Sequence, residues 1–165
     1  MRIALASILS ALLTAPAFAQ PSGPWQVRTN GAAGPVAQVA LPDARGKKRT
    51  ALVVLEYARQ CDPLFSFIEI SGDRLGNPIS QDVLTGSKIG IQLNGKVYTS
   101  HAAKTTYSNG FEAAMSIPND LALQLLVNVD TLAFVAPDGE RIPLPISNFS
   151  QSFQAAVAAC RKRAH

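Results

Sequence analysis

A serine and a lysine near the middle of the chain form one candidate catalytic pair. Ser100 and Lys104 have three residues between them, one more than in the Ser-x-x-Lys pattern of penicillin-binding enzymes. A lysine amine close to a serine could activate the hydroxyl for nucleophilic attack. The companion Lys-Thr-Gly and Ser-Asp-Asn elements are missing, and the serine ends a predicted strand. A small periplasmic hydrolase that uses Ser100 and Lys104 is therefore kept only as an alternative function.

Carboxylates and histidines supply the other candidates for chemistry. Two carboxylates could act as acid and base in glycoside cleavage, but the sequence does not give their separation and selects no pair. The histidines, His101 and His165, have no second ligand at helical or turn spacing, so the sequence predicts no metal site and implies no cofactor. The carboxylates considered are Glu56, Glu69, Asp73, Asp82 and Glu112.

A cluster of basic residues is the candidate binding feature. Arg45, Lys47, Lys48 and Arg49 fall in a loop predicted over residues 42–49. They are candidates for contact with an anionic surface, such as lipid headgroups, glycans or an acidic partner, and the alternative is an ordinary solvated loop. The whole chain has 15 Lys and Arg against 11 Asp and Glu, a formal net charge of +4. This excess is too small for a strong nucleic-acid-binding protein.

The N-terminus has the pattern of a secretory signal peptide. Met1-Arg2 gives a positive start, Ile3 to Leu13 is apolar, and Ala17-Phe18-Ala19 supplies an Ala-x-Ala cleavage signal. The apolar stretch is shorter than the ~20 residues of a membrane-spanning helix, and no later stretch reaches that length. The sequence therefore predicts an exported protein with a signal peptide over residues 1–19. The mature chain, residues 20–165, is predicted to be one domain without a membrane span.

The two cysteines predict a disulfide bond. Cys61 and Cys160 belong to a chain predicted to reach an oxidising compartment, where pairing is the usual outcome. The bond would close a loop of roughly 100 residues and contribute about 4–5 kcal/mol in the chain-entropy model. A pair of free or redox-active thiols is the alternative, but neither cysteine belongs to a Cys-x-x-Cys motif.

The elements that would position these residues are mostly strands. Asn94-Gly95 between alternating apolar residues predicts a hairpin on a primed turn, and Asp138-Gly139 predicts a second of the same kind. Pro143 cannot donate to a ladder, so the last strand is predicted at a sheet edge. The run over residues 50–57 is nearly continuously apolar, which favours a strand buried on both faces or at the centre of a sheet. The strands are predicted at 25–28, 36–41, 50–57, 64–70, 79–84, 89–93, 96–100, 131–136 and 141–146.

Two segments have helical patterns. Residues 119–128 are predicted as a short helix capped by Asn119, with a strand as the alternative. Residues 148–163 are predicted as a C-terminal amphipathic helix with Asn148 as its N-cap. Its inward residues are Phe149, Phe153, Ala156, Val157 and Cys160, and the polar Gln151, Ser152 and Gln154 are predicted elsewhere on its surface.

Several of these features occur in one order along the chain. Trp25 comes early, Cys61 precedes a strand, residues 138–144 contain the late Pro-bearing strand, and Phe149-Ser150-x-x-Phe153-x-x-Ala156-x-x-x-Cys160 ends in the second cysteine. In this order the chain resembles small exported bacterial proteins of the invasion-associated locus B family and type VI secretion accessory proteins of the VasI kind. The resemblance implies a mainly β (α+β) fold, an antiparallel β-sandwich-like domain closed by a C-terminal helix. It also implies an envelope or secreted location, no catalysis, and a role in virulence in host-associated bacteria.

These observations lead to one main hypothesis and one further alternative. The main hypothesis is a non-enzymatic exported interaction protein, periplasmic or secreted, whose partner is a protein or an envelope component. The further alternative is a secretion-system effector that is delivered into host cells. Such an effector would meet a host protein or membrane surface and act on host membranes or secretory trafficking.

Overall fold

The computed structural model describes residues 23–29, 32–84 and 89–163. Over these ranges the chain forms two antiparallel sheets, two α-helices and a single 3-10 turn at Tyr57–Arg59. The predicted signal peptide and His165 lie outside the described residues. The elements are β1 (Gln26–Arg28), β2 (Val36–Ala44), β3 (Lys47–Glu56), β4 (Asp62–Ile70), β5 (Pro78–Leu84), β6 (Gly90–Leu93), β7 (Lys96–Tyr98), β8 (Ala102–Tyr107), β9 (Gly110–Ser116), α1 (Asn119–Val127), β10 (Leu132–Val135), β11 (Arg141–Pro143) and α2 (Phe149–Arg163).

The large sheet has seven strands in the order β1-β2-β3-β4-β9-β8-β5. Side chains alternate between its two faces, as they must in extended strands. We call the face that carries the buried residues the inner face. Val53 and Phe65, which are directly opposite each other there, are 0% and 2% exposed. Val54 and Leu64, also opposite each other, lie on the other side, which we call the outer face, and are only half-buried.

The small sheet has four strands in the order β11-β10-β6-β7. The hairpin predicted at Asn94-Gly95 is confirmed, because both residues have positive φ (50° and 84°) between β6 and β7. Pro143 lies in β11 at the sheet edge, which confirms its predicted place.

The second predicted hairpin forms, but on a different turn. β10 and β11 pair as expected, and the Ala136 N–H donates to the Glu140 carbonyl at 2.9 Å. This bond leaves three loop residues, and only Gly139 among them has positive φ (87°). The turn is therefore of the three-residue kind and not the two-residue primed kind, because its first residues keep ordinary negative φ.

The small sheet and α2 pack against the inner face, and α1 packs against α2. Phe134 of β10 stacks on Phe65 and Phe67 of β4, with ring centroids 5.5 and 4.7 Å apart. α2 lies beside β1, β2 and β3, and its Phe149 and Phe153 are fully buried. This arrangement confirms the antiparallel β-sandwich-like fold with a C-terminal helix, whose observed start is one residue after the predicted one. No helix in the described part of the chain is both long and apolar enough to span a bilayer.

α1 confirms the helical interpretation of residues 119–128, with one correction. Pro118 stands in the N-cap position and no side chain caps the helix, so the predicted cap at Asn119 is wrong. The other end is bound to α2: Ser150 Oγ donates to the Leu125 carbonyl at 3.0 Å and Gln154 Nε2 donates to the Leu126 carbonyl at 2.8 Å. These bonds satisfy carbonyls that a helix leaves without partners at its C-terminus.

Trp25 joins the start of the domain to the start of α2. Its main-chain N–H donates to Asn148 Oδ1 at 3.1 Å, and Asn148 Nδ2 donates back to the Trp25 carbonyl at 2.9 Å. The indole Nε1 donates to the Pro145 carbonyl at 2.6 Å, and the ring meets Phe149 edge-on at 4.8 Å. Ser152, predicted away from the packed side of α2, is fully buried because its hydroxyl donates to the Trp25 carbonyl at 3.3 Å.

The loop predicted over residues 42–49 is wrong. β2 and β3 continue to a two-residue turn at Arg45-Gly46, whose φ angles are 53° and 73°. Such a turn favours Asn, Asp or Gly at its first position, so an arginine there gives little signal in the sequence. Three of the four basic residues therefore lie on β3 and not in a loop.

The hairpin of β8 and β9 is not predicted from the sequence at all. Both strands lie inside the large sheet, between β4 and β5. β9 contains Glu112, Ala113, Ala114 and Met115, residue types that favour a helix in isolation. Pairing on both sides and burial of alternate side chains outweigh that preference.

Candidate functional site

The predicted disulfide between Cys61 and Cys160 is confirmed. Cys61 has a φ of 69° and directly precedes β4, while Cys160 is fully buried in the last turns of α2. Their Cα atoms are 5.9 Å apart. The bond ties the end of the helix to the start of a central strand, across a sequence separation of 99 residues. Disulfides of this kind persist in oxidising compartments.

Two of the four basic residues of the candidate binding cluster form ion pairs with carboxylates. Arg49 Nε donates to Glu69 Oε2 at 2.8 Å, and Lys47 Nζ lies 3.4 Å from Glu69 Oε1. The Arg49 guanidinium also donates to Glu140, at 3.3 and 3.4 Å. Burial opposes the charge of Arg49, but the hydrogen bonds and charges of both carboxylates outweigh it and raise its pKa above the ordinary arginine value. Much of the positive charge here is therefore already neutralised.

The other two basic residues lie at the surface. Lys48 donates a hydrogen bond to Asp73, which raises the pKa of Lys48 and lowers that of Asp73. Arg45 is exposed at the turn and makes no ion pair with any residue that the structure describes. Contact of this cluster with an anionic surface stays a prediction, and Arg45 is its most available cation.

A small cleft of about 130 Å³ opens beside the β2–β3 turn, between the two sheets. Phe67 and Phe111 form part of its wall. Its charges balance, so the cleft has no strong electrostatic preference for an anion or a cation. The basic lining residues are Arg45, Arg49 and Lys104, and the acidic ones are Glu69, Asp138 and Glu140.

The structure does not bring Ser100 and Lys104 together. Lys104 lies in β8, and Ser100 lies in the connection before that strand. The Lys104 ammonium is 5.1 Å from the centroid of the Phe111 ring. Phe111 is opposite Thr106, which comes two residues after Lys104 in β8. The ammonium therefore points along the strand towards its C-terminal end, away from Ser100. This geometry assembles no serine–base pair.

The five carboxylates considered for glycoside cleavage are distributed over the molecule. Beyond Glu69 and Asp73, Glu56 pairs with Arg59 at 3.4 Å and Asp82 is opposite Lys104 at the edge of the large sheet. Glu69 and Glu112 lie on opposite faces of that sheet. Within the described residues, no three His, Cys, Asp or Glu side chains gather closely enough to hold a metal ion.

The outer face of the large sheet carries an apolar surface that the core does not cover. One cross-strand row runs from Leu52 through Ser66, Ala114 and Ala103 to Val83 on β5. The half-buried apolar side chains of this face belong neither to the core cluster nor to the residues packed against it. We call them the outer patch, which consists of Val36, Leu52, Val54, Leu64, Ile68, Ala103 and Ala114, all half-buried.

A polar cluster lies within the outer patch. Ser66, only 1% exposed, donates a hydrogen bond to Glu112 Oε1, and the Tyr107 hydroxyl donates to Glu112 Oε2 at 3.4 Å. Burial, together with the neighbouring charge and hydrogen bond of Glu112, raises the pKa of Tyr107 above the ordinary tyrosine value. The cluster places a fixed carboxylate on a surface that also carries the uncharged polar residues Gln38, Thr50 and Thr105, which suits a partner that presents a donor or a cation.

The outer patch is not predicted from the sequence, because its members become neighbours only in the assembled sheet. The continuous apolar run over residues 50–57 does signal that both faces of that strand are apolar. The structure places this strand third in the large sheet, with one side in the core and the other half-exposed. Ser66, Tyr107 and Glu112 come from three different strands, so no local pattern indicates that they meet.

Comparison with known proteins gives no additional guide to this surface. The chain matches no protein-family model, no curated protein and no solved structure. The outer patch and its polar cluster therefore have to be interpreted from their own chemistry.

Proposed function

We propose that this protein is a non-enzymatic exported interaction protein that binds a protein or envelope component through the outer patch. The observation that carries the proposal is a group of apolar side chains, on one face of the large sheet, that lies outside the core. An antiparallel sheet with one face in water usually alternates apolar and polar residues. Here Leu52, Val54 and Leu64 replace the polar residues expected on that side. Contiguous apolar surface of this kind commonly marks a place where another molecule binds.

The polar cluster supports a specific partner in preference to indiscriminate adhesion. A buried or half-buried polar group costs free energy unless it is hydrogen-bonded. Glu112 receives bonds from Ser66 and Tyr107 before any partner arrives. A partner that covers the outer patch must then supply a donor or a cation for the remaining lone pairs of the carboxylate. A purely apolar partner would desolvate the Glu112 carboxylate without giving it a new hydrogen bond, which costs free energy.

Export is supported by two independent features. The signal-peptide pattern over residues 1–19 directs a chain out of the cytosol, and the Cys61–Cys160 disulfide is typical of the compartments that lie beyond it. We therefore propose a periplasmic or secreted location.

Binding is tested by site-specific photo-crosslinking in cells that export the protein. A photoreactive residue at Ile68 should yield one discrete crosslinked species, and adding Leu52→Asp should abolish it. Leu123→Asp is the matched control, because Leu123 is 66% exposed on α1, away from the outer patch. Both variants must retain the disulfide and native tryptophan fluorescence. A crosslink that persists with Leu52→Asp, or that is lost equally with Leu123→Asp, would exclude the outer patch as the binding surface.

Location is tested separately by fractionation and a translocation reporter. We expect a periplasmic or released species whose mass is that of a chain beginning at Gln20, after removal of residues 1–19. A reporter signal in host cytosol that depends on a secretion apparatus would instead support a delivered effector. An unprocessed chain in the cytosol would contradict export altogether.

A further inference from the structure

The described residues form four sheet edges, and three of them are protected. β1, β7 and β11 have only three residues each. α2 lies beside β1, Lys96 begins β7, and Pro143 ends β11. Short length, a covering helix, a lysine and a proline are the usual means by which proteins prevent edge-to-edge pairing.

The fourth edge, β5, has no covering helix among the described residues and no lysine; Asp82 is its one charged residue, and its register shift lies at one end, between Pro78 and Ser80. The strand is seven residues long, and Pro78 stands only at its first position. Ile79 and Val83 are 69% and 79% exposed, the former at a register shift and the latter on the outer face opposite Ala103. An exposed apolar edge strand of this length offers both backbone groups and side chains to another strand.

The sequence of β5 suits antiparallel pairing with a second copy of the same strand. In an antiparallel pair related by a twofold axis, the residue on the axis is opposite itself, and its neighbours are opposite each other in reverse order. With Gln81 on the axis, Ile79 of one copy is opposite Val83 of the other, on both sides of the centre. The two exposed apolar side chains of each strand therefore meet, and cross-strand pairs of this kind stabilise a sheet.

The neighbouring symmetric registers are less favourable. With Asp82 on the axis, the two Asp82 carboxylates would be directly opposite each other, which is destabilising. With Ser80 on the axis, Ile79 would be opposite the polar Gln81. With Gln81 on the axis, Asp82 is opposite Ser80 of the other copy and keeps Lys104 opposite it within its own sheet. Charge and apolar contact thus select the same register.

We propose that β5 pairs antiparallel with β5 of a second copy of this chain, with Gln81 on the twofold axis. The two large sheets then form one continuous sheet. Because the axis is perpendicular to that sheet, both outer patches lie on the same side of it. The dimer would present two copies of the outer patch side by side. That these are partner-binding surfaces rests on the proposed function, whereas the pairing of β5 does not depend on it.

Sedimentation equilibrium of the oxidised mature protein tests the pairing. We expect a dimer that dissociates on dilution, and Val83→Lys should weaken it about tenfold or more, since the lysine faces Ile79 twice in the symmetric interface. Val83→Lys should retain the fold because the side chain is exposed. A melting temperature close to that of the wild type, measured at a concentration where both are monomers, checks this. A wild-type monomer at every concentration would overturn the proposal, as would a dimer that Val83→Lys leaves unchanged.

Disulfide trapping tests the register. In Gln81→Cys the two introduced residues are opposite each other, with Cα atoms about 4.5–5.5 Å apart, which permits a disulfide. In the matched control, Ser80→Cys, the same atoms are roughly 8 Å apart, which does not. We expect crosslinked dimer from Gln81→Cys and little from Ser80→Cys. Equal trapping of the two variants, or better trapping of Ser80→Cys, would contradict the register.

Discussion

The two ends of the large sheet differ in what covers them. At the β1 end, α2, Trp25 and the disulfide form a closed second layer, and Trp25 is 0% exposed. At the β5 end the strand is exposed on both sides, and Val83 is 79% exposed. The contacts that stabilise this domain are therefore concentrated at the β1 end. The other end can change its contacts at little cost to the fold, as a binding surface requires.

The largest effect should come from removing the disulfide at the covered end. The double variant Cys61→Ser with Cys160→Ser should lose about 4–5 kcal/mol of unfolding free energy, because the unfolded chain regains the freedom of the closed loop. Its melting temperature should fall by roughly 10–20 °C. Urea denaturation of the variant and the wild type measures this, and reduced wild type is the control. An unchanged denaturation midpoint would mean that the helix is held without the bond.

Truncation of Trp25 should have the next largest effect. Trp25→Ala removes a fully buried ring and its bond to the Pro145 carbonyl, at a cost of about 3–5 kcal/mol. Val83→Ala is the matched truncation at the open end and should change stability by no more than about 0.5 kcal/mol at low protein concentration. Circular dichroism in urea measures both variants. Similar losses would contradict the contrast between the two ends.

Asn148 provides a smaller test of the same end. Asn148→Ala leaves the main chain of Trp25 without two partners, which should cost about 1–3 kcal/mol. Asn148 has a φ of 53°, so part of this loss would be backbone strain, and Asn148→Gly removes that part. The chain contains one tryptophan, whose fluorescence reports directly on this site. If Asn148→Gly were as stable as wild type, the side-chain bonds would contribute nothing.

The smallest effect is expected for Tyr107, towards the open end. Its folded pKa is raised, so the stability that it contributes is fully present below the ordinary tyrosine pKa and is lost as pH rises through the folded value. Tyr107→Phe should change stability by less than about 1 kcal/mol at neutral pH, because it removes one long hydrogen bond. It should also reduce the alkaline loss. Urea midpoints at neutral and alkaline pH measure both effects, and an identical alkaline loss in the variant would exclude Tyr107 as its source.

The parts of the fold that could be predicted are those set by neighbouring residues. Asn94-Gly95 specifies its turn because both positions need positive φ. Helix α2 follows from apolar residues repeating at three and four positions. The residues of β9 failed as a guide because alanine and glutamate favour a helix until two flanking strands pair with them. The predicted exposure of Ser152 was wrong for a similar reason, since its burial depends on the carbonyl of Trp25, far away in the sequence.

The candidate site was even less accessible to prediction. The four basic residues are neighbours in the sequence, yet Lys47 and Arg49 meet Glu69 on the neighbouring strand, and this contact depends on register. The outer patch needs the full strand order before its members become neighbours. Exposure of β5 likewise follows from its place at the end of that order.

By itself, the amino-acid sequence determined the two tight turns' positions, the amphipathic C-terminal helix and the cysteine pairing, because each depends on local backbone preference or on the presence of only two thiols. The tertiary structure alone decided which face of the large sheet the second layer covers and which strand remains at its edge. Those outcomes depend on which distant side chains fill the space between the layers, since burying Trp25 and Phe134 on one face leaves Leu52 and Val83 on the other.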